Sequence, residues 1–275
     1  MKLYKLALIC GVLLLALGAS SCERLKARDH LNKGVQSYRN AQFQQAIIHF
    51  KEAVRLDPSL LNARLYLATA YAQQYVPGGD TADNKKIADD AIAAFEDVLK
   101  MDNGHSTASA TALASIAQIY YSMKKFDDAK KYNQRRIEIE PNNPEPYYWI
   151  GVLDWAIAFP NAQKVRSDHS LTQPNAKGEL APIPDKFRTE LAEKNAPLVD
   201  EGLKALNKAI ELKPNDADSM VYLNLMYRQK AEIDPDDQTR VADLKQAEDW
   251  VNKALAARKA GTASGSSEAT PSGAQ

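Results

Sequence analysis

The chain has 275 residues, with 35 Lys and Arg against 35 Asp and Glu. That balance excludes the basic field expected of a nucleic-acid binder. A hydrophobic content of 45% with 25% charged residues is ordinary for a folded globular chain. In chain order, Lys2 and Lys5 precede an apolar run from Leu6 to Leu17, then the small residues Gly18, Ala19, Ser20 and Ser21, then Cys22. Charged, apolar and small in that order is a secretory signal layout. The run is too short to span a bilayer comfortably, which takes about 20 residues. Removing residues 1–21 takes away Lys2 and Lys5 and leaves a near-neutral chain.

A cysteine placed directly after the small residues resembles the lipobox of bacterial lipoproteins, with Ala19 where that family prefers leucine. The resemblance implies a signal peptide at 1–21, cleavage before Cys22, a lipid on its sulfur and a short tether at 22–26. Cleavage by an ordinary signal peptidase after Ala19 or Ser21 is the alternative. Cys10 lies within the signal, so the mature chain would keep one cysteine and no intramolecular disulfide. Glu23, by resemblance to enteric lipoproteins, which use aspartate there for inner-membrane retention, favours the outer membrane, facing the periplasm.

From Ala27 onward, small residues, aromatics and prolines recur with a period of about 34 residues. Gly34, Ala46, Phe50, Ala53 and Pro58 form one copy; Ala117, Ala129 and Pro141 repeat its spacing of 12 and 12. This pattern resembles the tetratricopeptide repeat, a pair of antiparallel helices. Five copies are traced, at about 27–60, 61–105, 110–143, 144–216 and 217–261, giving a repeat domain at 27–257. The resemblance implies an all-α fold, an α-solenoid of about five helix pairs. Gly34, Ala117 and Gly151 are expected where helices cross closely, with Ala46, Ala91, Ala129 and Ala247 facing them. Phe50, Phe95 and Leu206 should fill the space between repeats. Pro58, Pro141 and Pro214 should end second helices, and Asp57 and the pairs Asn142–Asn143 and Asn215–Asp216 supply turn and cap oxygens. In the first copy His30, Lys33 and Ser37 stand where the family has tryptophan, leucine and tyrosine.

Three copies carry extra residues. The second has about eleven around Val76–Asp80, and the fifth a similar length around Ile233–Asp237. The fourth holds a long insertion at 159–196, expected to be irregular through Pro160, Pro174, Pro182 and Pro184. A short helix from Asp185 to Lys194 capped by Asp185, and a second helix starting at Pro197, should follow. From 258 to 275 the chain is rich in Gly, Ser and Ala and is expected to form a disordered tail.

In the tetratricopeptide family, fixed positions of each first helix face a concave groove. Matched residue by residue, the groove-lining candidates include Arg28, Tyr38, Arg39, Gln73, Gln118, Tyr121, Tyr148, Trp155, Arg228 and Gln229. Tyr, Trp and Arg dominate many interfaces, so the resemblance implies protein or peptide partners; packing against the insertion is an equal account of Tyr148 and Trp155. Glu138, Glu140 and Glu145 read as a solvated face, and Asp234–Asp237 as an acidic surface turn. No catalytic constellation, metal-ligand spacing or cofactor motif is present, and His30, His49, His105 and His169 lie far apart in sequence. The expectation is a non-enzymatic, lipid-anchored scaffold of the bacterial cell envelope, resembling lipoproteins that assist outer-membrane protein insertion or pilus and secretin assembly. The alternative is a soluble periplasmic carrier or sensor that binds a peptide or small ligand in the groove.

Overall fold

The computed structural model describes residues 22–102, 106–176 and 180–266. The expected signal at 1–21 lies outside them. Helices follow one another as α1 (residues 22–39), α2 (Phe43–Leu56), α3 (Leu61–Ala72), α4 (Ala82–Asp102), α5 (Thr107–Ser122), α6 (Phe126–Ile139), α7 (Pro144–Asp168), α8 (Asp185–Leu212), α9 (Ala217–Ile233) and α10 (Asp237–Ser266). No strand occurs among the described residues; one isolated bridge joins Pro174 to Leu180. The fold is all-α. It divides into two compact units, 1–125 and 126–275.

The small residues act where expected. A Cβ added to Gly34 would sit 2.5 Å from the Phe50 ring, so α1 and α2 approach as closely as they do only because that Cβ is missing. Gly151 does the same for α7 against Leu206 of α8. Ala46, Ala91, Ala129 and Ala247 are fully buried, as are Phe50, Phe95 and Leu206. The helices α2, α6 and α8 each stop two residues before Pro58, Pro141 and Pro214. Asn143 and Asp216 are the side-chain N-caps of α7 and α9, each accepting from a backbone N–H of the first turn. Asp57 accepts from the backbone and hydroxyl of Ser59 in the turn after α2.

Unit 1 packs Ala46, Ile47, Phe50 and Ala70 into a core walled by Leu31, Val35, Tyr38, Leu67 and Tyr71. The extra length of the second copy is a loop at 73–81 and a long α4. Asn84 pins that loop: its side chain accepts from the Val76 N–H and donates to the carbonyls of Val76 and Gly79. The expected tether at 22–26 is already helical and continues into α1.

Unit 2 departs furthest from expectation. The insertion is not irregular from residue 159: α7 runs through Pro160 to Asp168, and among the described residues only 169–176 and 180–184 lack helix. Nor is there a break at Pro197; α8 is one helix from Asp185 to Leu212, flanked by Pro184, with Asp185 in its first turn rather than capping it. A proline within a helix removes a backbone donor and costs about 3 kcal/mol. Packing offsets that cost here. The insertion has its own core of Ala162, Ile183 and Leu191, joined by Val165, Leu171, Phe187 and Ile233. Asn195, fully buried, stitches the two helices together beside Pro160. It donates to the Ala158 carbonyl and accepts from Asn161.

The fifth copy's extra residues are likewise absorbed as helix, leaving only 234–236 between α9 and α10. The helix α10 continues past Arg258 to Ser266, so the first part of the expected tail is helical. Residues 267–275 lie outside the described part.

Candidate interaction face

The residues matched to a groove are best followed unit by unit. In unit 1, Arg28 and Arg39 on α1, Gln73 at the end of α3 and Gln118 on α5 are exposed. Tyr38 and Tyr121 are half-buried; the Tyr38 ring meets Phe43 edge-on at 5.4 Å and belongs to the core wall. Four of the six therefore offer polar groups to solvent.

In unit 2, Tyr148 and Trp155 of α7 are brought together through Tyr222 of α9. Tyr148 and Trp155 each meet the Tyr222 ring edge-on, at 5.6 and 5.8 Å, and Trp155 stacks on Phe159 at 5.0 Å. Such aromatic pairs each add about 0.5–1.5 kcal/mol beyond burial. The inner edge of this cluster rests on Val199, Leu206, Leu223 and Met226. Phe159 at its outer end is 37% exposed. The Trp155 indole N–H is buried with no acceptor among the described residues, a state most buried donors avoid. Arg228 is exposed on the same helix as Tyr222 and donates to Asn224. Gln229 is 5% exposed, which removes it from any open face.

Sequence reasoning missed Tyr222 and Phe159. Phe159 stands four residues after Trp155, one helical turn, a signal hidden by treating residue 159 as the start of an irregular insertion.

Charged groups within unit 2 are more buried than the sequence suggested. Lys130 of α6 reaches the fully buried Asp154 of α7 at 2.5 Å and Glu201 of α8 at 2.7 Å. Burial pushes the Asp154 carboxyl up to about 7, against the pull of the Lys130 ammonium. Burial also works against the Lys130 charge, but its hydrogen bonds to Asp154 and Glu201 outweigh this and raise it. One Asp154 oxygen has no partner among the described residues, and Lys130 is shared with Glu201. Glu140 and Glu145 are not a simple solvated face: both pair with the buried Arg136, and its hydrogen bond holds Glu145 below the usual carboxylate range. In the acidic turn, Asp234 is buried, and burial together with a hydrogen bond to Asp243 pushes it up to about 6. The loop of the insertion is fastened by Arg166, which forms a bidentate pair with Glu232 of α9 and donates to the carbonyls of Leu171 and Ala181.

Residues 88–149 match the profile of the tetratricopeptide repeat family. Within that span the chain is similar to a tetratricopeptide repeat. Solved structures agree on the fold. MamA, residue 41 to the end, from Desulfovibrio magneticus RS-1 shares 16% identity at a TM-score of 0.53, covering 86% of this chain and 96% of that one. A second MamA crystal structure shares 16% identity at a TM-score of 0.50, covering 83% and 93%. No curated protein matches the chain. The aromatic cluster of unit 2 lies on α7 and α9.

Proposed function

We propose that this tetratricopeptide-repeat protein is a lipid-anchored scaffold of a bacterial cell envelope that binds protein or peptide partners on the first-helix face of unit 2. The observation that carries the reading is the cluster of Tyr148, Tyr222, Trp155 and Phe159. It combines large rigid rings, a partly exposed outer end and an indole donor without an acceptor among the described residues. Aromatic residues of this kind anchor interfaces because they bury much area at little entropic cost. Arg228 adds a charged group to the same helix. The anchor rests on the order of residues 1–22 and on Cys22, which is exposed and free of any disulfide. An outer-membrane position facing the periplasm follows from Glu23, by the same resemblance, and a role in outer-membrane or secretion and pilus assembly is the machinery it best suits.

The second reading, a soluble periplasmic carrier or sensor, is favoured by one feature. An open hollow of about 720 Å³ in unit 1 is lined by Gln42, Gln44, Gln45, Gln74 and Phe43, an amide-rich wall suited to a peptide backbone or small polar ligand. Intact mass spectrometry of the protein from membranes separates the two. The scaffold reading expects a chain beginning at Cys22 with a diacylglyceryl group on sulfur and an acyl group on nitrogen. An unmodified Cys22 in a soluble chain would move the assignment to the carrier.

A further inference from the structure

The first helix hairpin gathers two histidines that are 19 residues apart in sequence. His30 on α1 occupies the repeat position where the family has tryptophan, and it meets His49 of α2. Their Nδ1 atoms are 3.3 Å apart, with ring centroids at 5.5 Å and ring planes at 46°. Both side chains are half-buried, so solvent reaches them while the helices limit their motion.

Two nitrogens bound to one zinc ion at about 2.0–2.1 Å and a tetrahedral angle lie about 3.4 Å apart. The two Nδ1 atoms, which share one hydrogen bond in the metal-free protein, therefore already stand at the separation a chelating pair needs. The Gln45 side-chain nitrogen lies 3.3 Å from His49 Nε2 and donates to it. A half-turn of that amide would bring its oxygen to the ring, where it would accept the Nε2 hydrogen when Nδ1 takes up a cation. The surrounding charges are already matched: Asp29 pairs with Lys33 and Glu52 with Arg55.

We propose that His30 and His49 form a two-histidine site for a borderline divalent cation of the zinc class, bound through both Nδ1 atoms. Imidazole nitrogen suits such ions. No third His, Cys, Asp or Glu joins the pair among the described residues, so water completes the shell and the affinity is modest.

The test uses the full chain without a histidine tag, in detergent, stripped with chelator, and carrying Cys22→Ser in every sample so that no thiol contributes. Zinc chloride is titrated by calorimetry. The site predicts one zinc per chain with a Kd on the order of micromolar, weakened at least tenfold in both His30→Ala and His49→Ala. Histidine 15N spectra of the protein with both histidines intact should show the Nδ1 signals of His30 and His49 moving on zinc addition. That measurement decides the matter alone if either variant fails to reproduce the parent circular dichroism. Absence of uptake, uptake unchanged in the variants, or Nδ1 signals that stay in place would overturn the proposal.

Discussion

Replacing Arg166 with alanine is expected to destabilise unit 2 by about 3–5 kcal/mol, the usual cost of leaving one member of a buried ion pair without its partner. The Arg166 side chain is 4% exposed and Glu232 19% exposed, so water cannot easily substitute for the lost guanidinium. The same substitution releases the carbonyls of Leu171 and Ala181, which Arg166 holds from one Nη atom. Two effects should therefore appear together: a lower urea midpoint and faster proteolysis within 169–184. Arg166→Lys keeps the charge but cannot serve the carboxylate and both carbonyls at once, because a single ammonium lacks the planar fork. It should recover only part of the loss. A change below about 1 kcal/mol for the alanine variant would mean that the pair is solvated and that the loop is fastened by Ile183 and Leu171 alone.

The second large effect is a pH dependence that Asp154→Asn should remove. The Asp154 carboxyl stands at about 7 in the folded protein and near the ordinary value of about 3.9 when unfolded. The folded state thus binds the extra proton between those values. Stability from this group is complete below about pH 4, falls as pH rises to about 7, and is constant above that. A difference of that size corresponds to on the order of 4 kcal/mol. Asn keeps the shape and cannot ionise, so the variant should gain on the parent steadily from pH 4 to 7, while Lys130 retains Glu201 at 2.7 Å. Comparing parent with variant matters, because Asp234, pushed up to about 6 by burial and by Asp243, falls in the same window with the same sign. Parallel stability curves for parent and variant would show that Asp154 stays ionised beside Lys130 throughout.

The repeat fold was legible because its signals are local and steric. Gly34 faces Phe50, Gly151 faces Leu206, and helices stop two residues before Pro58, Pro141 and Pro214. Each of those residues acts through its own size or missing donor, which a single sequence displays. The insertion was less legible. Pro160 and Pro197 read as helix breaks, yet the contacts of Asn195, Leu191 and Ile183 carry α7 and α8 through them. Tertiary packing outweighed local propensity there, and no local pattern announces it. The candidate face was half legible: Tyr148 and Trp155 came from repeat register, whereas Tyr222 and Phe159 emerge only when α7 and α9 lie side by side. Gln229 fell to burial, since a register position cannot tell an exposed amide from a covered one. The His30–His49 pair lay beyond reach for the opposite reason: metal spacings within one helix do not reveal a pair that forms across a hairpin.

The aromatic face is tested most directly by placing a photo-crosslinking amino acid at position 159 and, separately, at Glu211 on α8, an exposed position of the second helix of that hairpin. Irradiation of whole cells followed by purification reads the adducts. The account predicts a discrete protein adduct at position 159 that is absent at position 211. Equal labelling at both positions, or none at 159, would contradict it.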